Sequence, residues 1–274
     1  MEKKRVLFVS QEINPFLPKS EISTAVRRLS QGIQEAGKEI RVFMPKFGSI
    51  NERRHQLHEV IRLSGMNLII DDQDHPLIIK VASIPSARMQ VYFIDNEEYF
   101  KRKAVYCEES GQPCADNDER SMFFCRGVLE TVKKLGWKPD VIHCNGWMTA
   151  FMPMYLKEVY GQDPHFQDTK VIYSLYESGF KDKYCERLPE KLKFDGFSDE
   201  MIDKVKEGTC ESLTHLAMDY SDGVILCSEN VSGNTKTHFE SLSSHKLDFN
   251  PEETQVKVLS DFIDKVIEEE VLIS

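Results

Sequence analysis

Two hydrophobic periods alternate along this chain, one suited to strands and one to helices. Arg5-Val6-Leu7-Phe8-Val9 is a short β-rich apolar run. Asn14, Pro15 and Pro18 then interrupt it, and from Ile22 the apolar positions fall at Ile22, Val26, Leu29, Ile33 and Ala36, a helical stripe ended by Gly37. Arg41-Val42-Phe43-Met44 follows as a second strand closed by Pro45. The opening is thus expected to be a βαβ unit.

Residues 56–95 change character. Segments 56–63, 66–70, 77–84 and 90–94 have strand composition and are separated by Gly-, Asp- and Pro-containing turns. They are expected to form β-hairpins laid on or beside a parallel sheet. The helical period returns at Met122, Cys125, Leu129, Val132 and Leu135, with Gly136 as the stop. Further on the pattern predicts a strand at 141–144, a helix at 149–160 kinked by Pro153, and a strand at 171–175. It then predicts helical structure over 198–220 broken at Gly208, a strand at 223–227, and a last helix at 255–271. Residues 229–254 are polar, weakly patterned and expected to be irregular. Strands alternating with helices imply an α/β fold with one doubly wound, Rossmann-like parallel sheet. The expected organisation is a domain over 1–228, with 229–274 as a connection and a helix packing onto it.

Composition narrows the possibilities. The 274 residues are 41% hydrophobic, enough for a sizeable core, and the net charge of −10 comes with no basic stripe. Lys181, Lys183, Arg187, Lys191 and Lys193 alternate with acids. No nucleic-acid or anionic-membrane partner is expected. The seven cysteines include no C-x-x-C pair, no 18-residue apolar run occurs, and the N-terminus shows no secretory signal, so a cytoplasmic protein is expected. His55 and His58 form the one metal-like spacing, but in a strand they point to opposite faces, and no metal site is expected.

Three stretches carry a resemblance. Val6-Leu7-Phe8-Val9-Ser10-Gln11-Glu12 with the following Lys19, then His143-Cys144-Asn145-Gly146-Trp147-Met148-Thr149, then Tyr173-Ser174-Leu175-Tyr176-Glu177 resemble, in order and spacing, the bacterial glycogen and starch synthases of glycosyltransferase family 5. The resemblance covers roughly residues 3–228. It implies glucosyl transfer from ADP-glucose to α-1,4-glucan, no cofactor beyond that donor, and the N-terminal half of a two-lobed GT-B fold. The family's second lobe supplies most donor contacts and is expected to be missing. The first lobe carries acceptor contacts, so the resemblance implies an α-glucan partner, with a protein partner as one source of the second lobe.

The resemblance also marks departures. Where the family has K-x-G-G, this chain has Lys19-Ser20-Glu21-Ile22; a carboxylate at Glu21 repels a diphosphate, and Ile22 has a side chain where the family has none. Asn145 and Gly146 stand in place of the second histidine and the aspartate of H-x-H-D-W-x-T, with Trp147 and Thr149 retained. Tyr176 and Glu177 occupy the positions of the family's catalytic histidine and asparagine, and tyrosine does not exchange protons near neutral pH. Trp147 either stacks on a sugar ring or packs under the next helix. Glu12, Lys19, Asn145, Trp147 and Thr149 are the expected substrate-binding positions. In a doubly wound sheet their turns converge on one crevice at the strand carboxyl ends. Three functions follow: a glycogen or starch synthase-type enzyme whose stand-alone catalysis the departures oppose, a non-catalytic glucan-binding or regulatory protein, or a module for another small ligand.

Overall fold

The structure, a computed structural model, describes residues 3–108, 110–177, 183–184, 186–250, 252 and 254–268. Lys181, Cys185 and the expected last turn of the C-terminal helix, 269–271, lie outside these. The elements in chain order are β1 (Arg5–Ser10), α1 (Glu21–Glu35), β2 (Glu39–Pro45), α2 (Glu52–His55), β3 (His58–Glu59), β4 (Met66–Ile70), β5 (Gln73–Ile84) and β6 (Met89–Asp95). There follow α3 (Glu97–Phe100), α4 (Asn117–Leu135), β7 (Val141–Asn145), α5 (Phe151–Met154), β8 (Lys170–Leu175), α6 (Leu188–Phe194) and α7 (Asp199–Lys204). The chain closes with α8 (Cys210–Asp219), β9 (Gly223–Leu226), α9 (Gly233–Ser241), β10 (His245–Leu247) and α10 (Gln255–Glu268).

These strands make one mixed, mostly parallel, open sheet of order β10-β9-β8-β7-β1-β2-β6-β5-β3, with β4 paired to β5 off this path. β1 is central: Phe8 pairs Val42 of β2 on one side and His143 of β7 on the other, both in parallel. From β1 the chain first builds outward through β2 and β6, then returns to β7 and builds the other way. The reversal lies between β1 and β7, and their carboxyl ends define the ligand-binding crevice of such sheets. One face is covered by α1 and α10. Gly32 lets them approach, since a Cβ there would lie 2.5 Å from a Val256 methyl carbon. The other face is covered by α4, α5 and α8, with Phe123, Phe124, Phe151 and Tyr155 wholly buried.

The expected doubly wound α/β architecture is therefore present, with differences of detail. Only His58–Glu59 of the expected 56–63 strand pairs, because Gln56 turns left-handed (φ 53°) and the Leu63 amide donates to Val60 across a tight turn. β6 is not part of an insertion but a parallel strand beside β2. The 229–254 stretch is not irregular: it holds α9 and the parallel edge strand β10. Only Thr235 and Phe239 of α9 are buried, too few to leave a periodic stripe. The 149–160 helix is a composite of a 3₁₀ turn (Trp147–Thr149), α5 and a π turn (Tyr155–Val159). Ala36 caps α1 and is exposed. Among the described residues no helix is long and apolar enough to cross a membrane.

A buried ion cluster fastens α6 to α4. Lys191, 2% exposed, donates to Asp118 at 2.7 Å and to Glu119 at 2.6 Å. Asp118 is fully buried, and desolvation pushes its carboxyl upward while the Lys191 ammonium opposes that shift. Lys191→Met leaves this carboxylate without its cation, and the expected loss is about 3–5 kcal/mol of stability, read as a lower denaturant midpoint.

Candidate functional site

The first sheet-end turn is built around the start of α1. Ser20 is the N-cap: its Oγ accepts from the Ser23 amide at 3.0 Å, while Ser23 Oγ accepts from the Ser20 amide at 2.8 Å. This reciprocal cap satisfies donors that an open helix start leaves free. Ile22 points into the core, 9% exposed. Glu21 stays at the surface as the first helical residue. Burial, and secondarily the carboxylate of Glu177, hold the Glu21 carboxyl above its usual range, against a hydrogen bond from Ser228. The residues of the family's K-x-G-G turn thus form a self-capped, acidic helix start. Lys19 is exposed and takes part in no ion pair among the described residues.

Glu12 follows β1 and is fixed by its neighbours. Its carboxylate accepts from the Tyr106 hydroxyl at 2.7 Å and from Ser20 Oγ. The Tyr106 ring meets Trp147 edge-on at 5.3 Å. Trp147 is 5% exposed and also faces Tyr184. Trp147 is thus held by rings from two connections, Tyr106 and Tyr184. Thr149 is buried and donates to the Gly146 carbonyl at 2.7 Å. Asn145 is buried too, donating to the His143 carbonyl at 3.1 Å and accepting from the Tyr176 hydroxyl at 3.3 Å. Gly146 is required: at φ +89° its missing Cβ leaves room for Gln11, whose Oε1 would lie 2.3 Å away. Gln11 Oε1 accepts from the Met148 amide at 3.2 Å, locking the β1 turn to the β7 turn.

Tyr176 and Glu177 end β8. Tyr176 is 8% exposed, and burial raises its hydroxyl well above the usual tyrosine range, so it serves as a neutral donor. Glu177 is exposed. A recess of about 20 Å³ lies between Gly146, Trp147, Tyr176 and Glu177. A larger cavity of about 380 Å³ lies on the α1 side, where Ser20, Glu21, His143, Ser174 and Tyr176 are among its walls. The expected single crevice is thus two spaces that share Ser174 and Tyr176. Glu12, Lys19, Asn145 and Thr149 line neither of them. Sequence reasoning missed Tyr106 and Gln11, which position Glu12 and Trp147, and Ser174, which pairs with His143. The Ser174 contact is diagonal across the parallel pair, since His143 is aligned with Ile172 and Asn145 with Ser174.

His143 is fully buried, with Nε2 at 2.7 Å from Ser174 Oγ. His55 and His58 do not meet in a metal site. His55 ends α2 and packs edge-on against Phe16 at 5.1 Å, and His58 lies in β3. Among the described residues no group of three or more His, Cys, Asp or Glu is arranged to hold a metal ion.

Comparisons with known proteins bear on the family and the fold. A family described as the starch synthase catalytic domain matches residues 5–247. The chain is similar to a glycogen synthase of Chlorobium limicola, 40% identical over 195 residues, covering 69% of this chain and 40% of that protein. It is also similar to a glycogen synthase of Chlorobium phaeovibrioides, 33% identical over 223 residues, covering 80% of this chain and 44% of that protein. The chain thus spans less than half the length of these relatives. Its fold matches the catalytic domain of starch synthase IV from Arabidopsis thaliana bound to ADP and acarbose, with TM-score 0.71 and 17% identity, over 93% of this chain and 53% of that one.

Burial lowers the His143 imidazole from its ordinary 6.5 to about 3. The folded state therefore holds this ring neutral, while the unfolded chain protonates it below 6.5. Its contribution to stability is complete above pH 6.5 and is lost as pH falls from there toward 3. Denaturant unfolding across that window should show wild type losing stability more steeply than His143→Gln, and parallel profiles would contradict the assignment.

Proposed function

The chain belongs to the starch synthase catalytic-domain family, and we propose that it serves α-glucan (glycogen) synthesis as an acceptor-side lobe. In this reading it holds glucan but does not by itself transfer glucose from ADP-glucose. One observation carries the reading: the turn that would grip a donor phosphate is a self-capped helix start bearing Glu21, with the Glu177 carboxylate close enough to raise it. Two carboxylates facing one diphosphate disfavour it by several kcal/mol. Tyr176 offers its donor to Asn145 and lacks imidazole chemistry. Transfer then requires donor contacts from a second lobe, whether covalently attached or supplied by another polypeptide.

Glucan retention is supported by what remains. Glu12 presents a carboxylate braced by Ser20 and Tyr106, the chemistry that accepts sugar hydroxyls. The rims of Tyr106 and Trp147 lie beside it. A fully non-catalytic, regulatory role and a glucan-holding role within a larger enzyme share this surface.

Calorimetric titration separates the parts of the proposal. Maltoheptaose should bind the purified chain, and ADP-glucose at millimolar concentration should give no heat above dilution. Glu12→Gln removes a charge-assisted hydrogen bond, so maltoheptaose affinity should fall roughly tenfold or more, since such bonds contribute about 1.5–3 kcal/mol. Micromolar ADP-glucose binding, or glucosyl transfer by the chain alone, would refute the donor half. Unaltered maltoheptaose binding in Glu12→Gln would refute the placement of the glucan.

A further inference from the structure

A further recess, of about 250 Å³, lies against the amino ends of the parallel strands β2 and β6 and the last turn of α1. Since β1 and β2 run parallel, this is the opposite end of the sheet from the crevice. Its charged walls are Arg41 and Arg88, and among the described residues no carboxylate lines it. Gln34, Gln90 and Tyr92 add neutral polar groups, while Ile40 and Met89 are its apolar contacts. In a chain of net charge −10, a concave surface whose charged side chains are two arginines stands apart.

Both guanidinium groups are held there without an acid. Arg41 donates through Nη1 to the Tyr92 hydroxyl at 2.7 Å and lies over the Trp137 ring at 5.1 Å. Glu39, two residues earlier on β2, is engaged elsewhere: its carboxylate accepts from Trp137 Nε1 at 2.5 Å and pairs with Arg5 at 3.6 Å. Arg88 follows the 3₁₀ turn Pro85–Ala87 in the left-handed region, at φ 50° and ψ 39°. A side chain strains the backbone there, and glycine or asparagine is the ordinary occupant. Yet an arginine stands at this position, exposed, and its guanidinium makes no hydrogen bond or ion pair among the described residues. The Arg88 carbonyl accepts from Gln34 Nε2 at 3.3 Å, which ties the turn to α1. Strained backbone positions of this kind cluster at ligand-binding sites.

We propose that this recess binds a phosphate dianion, free or as the monoester of a small molecule, between Arg41 and Arg88. Guanidinium groups match phosphate oxygens through paired N–H donors, and such charge-assisted bonds are stronger than neutral ones. A cation is repelled by both arginines, an apolar ring finds too little apolar wall, and an uncharged sugar leaves two charges unanswered. Arg41 comes from a strand and Arg88 from a turn. Donors from two elements suit the tetrahedral oxygens of phosphate better than the single plane of a carboxylate. The carboxyl end of α1 adds about half a negative charge nearby, less than the two guanidinium charges.

Calorimetric titration of the chain with inorganic phosphate, glycerol 3-phosphate and malonate tests the proposal, and ¹H–¹⁵N spectra of the arginine side chains locate the site. Phosphate or glycerol 3-phosphate should bind with a millimolar or tighter dissociation constant, and tighter binding of the ester would identify a monoester as the better ligand. The Nε–H resonances of Arg41 and Arg88 should move, and that of the exposed Arg53 on α2 should not. Asparagine tolerates the left-handed backbone, so Arg88→Asn should keep the thermal midpoint while phosphate affinity falls about tenfold or more, the loss of one charge-assisted pair. If that variant does not fold, the side-chain shifts of the wild type decide. ADP-glucose, whose two phosphates are bridged and carry no dianion, should not displace bound phosphate. Absence of saturable binding by either phosphate at tens of millimolar overturns the proposal. So does malonate binding as tightly, displacement by ADP-glucose, unmoved Arg41 and Arg88 signals, or unchanged affinity in folded Arg88→Asn.

Discussion

The cap on α1 is the interaction on which the rest of the site depends. Ser20 and Ser23 exchange side-chain and backbone hydrogen bonds, and Ser20 at the same time donates to Glu12. This engages the Ser20 and Ser23 amides, while Ile22 enters the core and Glu21 stays outside. A helix N-terminus is ordinarily attractive to phosphate through its free amides and its dipole. Here the Ser20 and Ser23 amides are occupied by the cap, and the dipole is answered by a carboxylate on the chain itself. The same cap braces Glu12, so in the proposed reading the residues that disfavour a phosphate also orient the carboxylate offered to sugar hydroxyls.

The second constraint is topological. β1 sits between β2 and β7, and the connections leaving β1 and β7 diverge to opposite directions of the sheet. Gln11 bridges that divergence by accepting from Met148, and only a glycine at 146 leaves it space. Trp147, Thr149 and Asn145 are spent on this joint: they are buried and bonded to neighbouring backbone or rings. The rigidity of the joint accounts for the presence of Trp147 and Thr149. Three carboxylates, Glu12, Glu21 and Glu177, remain accessible at these turns beside the exposed Lys19.

Much of the fold was legible in the sequence because its elements bury periodic stripes. Ile22, Val26, Leu29 and Ile33 are buried on α1, and Gly136 ends α4 at φ +62°. The stretches that escaped notice, or that pair less than expected, bury little or irregularly. α9 hides two residues, α6 is a seven-residue helix held by the buried Lys191, and β3 pairs for two residues only. In the site, residue identities pointed to the correct turns but not to exposure. Asn145 and Trp147 sit at strand ends as expected, yet hydrogen bonds and rings from Tyr176 and Tyr106 close over them, contacts that span 31 and 41 positions of sequence and have no local signature. The division of the sheet end into two spaces depends on α10 and the β10 connection, which no local pattern places against α1.

The central claim is that glucan, and not the sugar-nucleotide donor, is what this lobe holds at its sheet end. Hydrogen–deuterium exchange of the chain with and without maltoheptaose or ADP-glucose tests it most directly. The account predicts slower exchange with maltoheptaose around residues 11–24 and 146–150, and no change with ADP-glucose. Protection of the α1 start by ADP-glucose, with none from maltoheptaose, would contradict it.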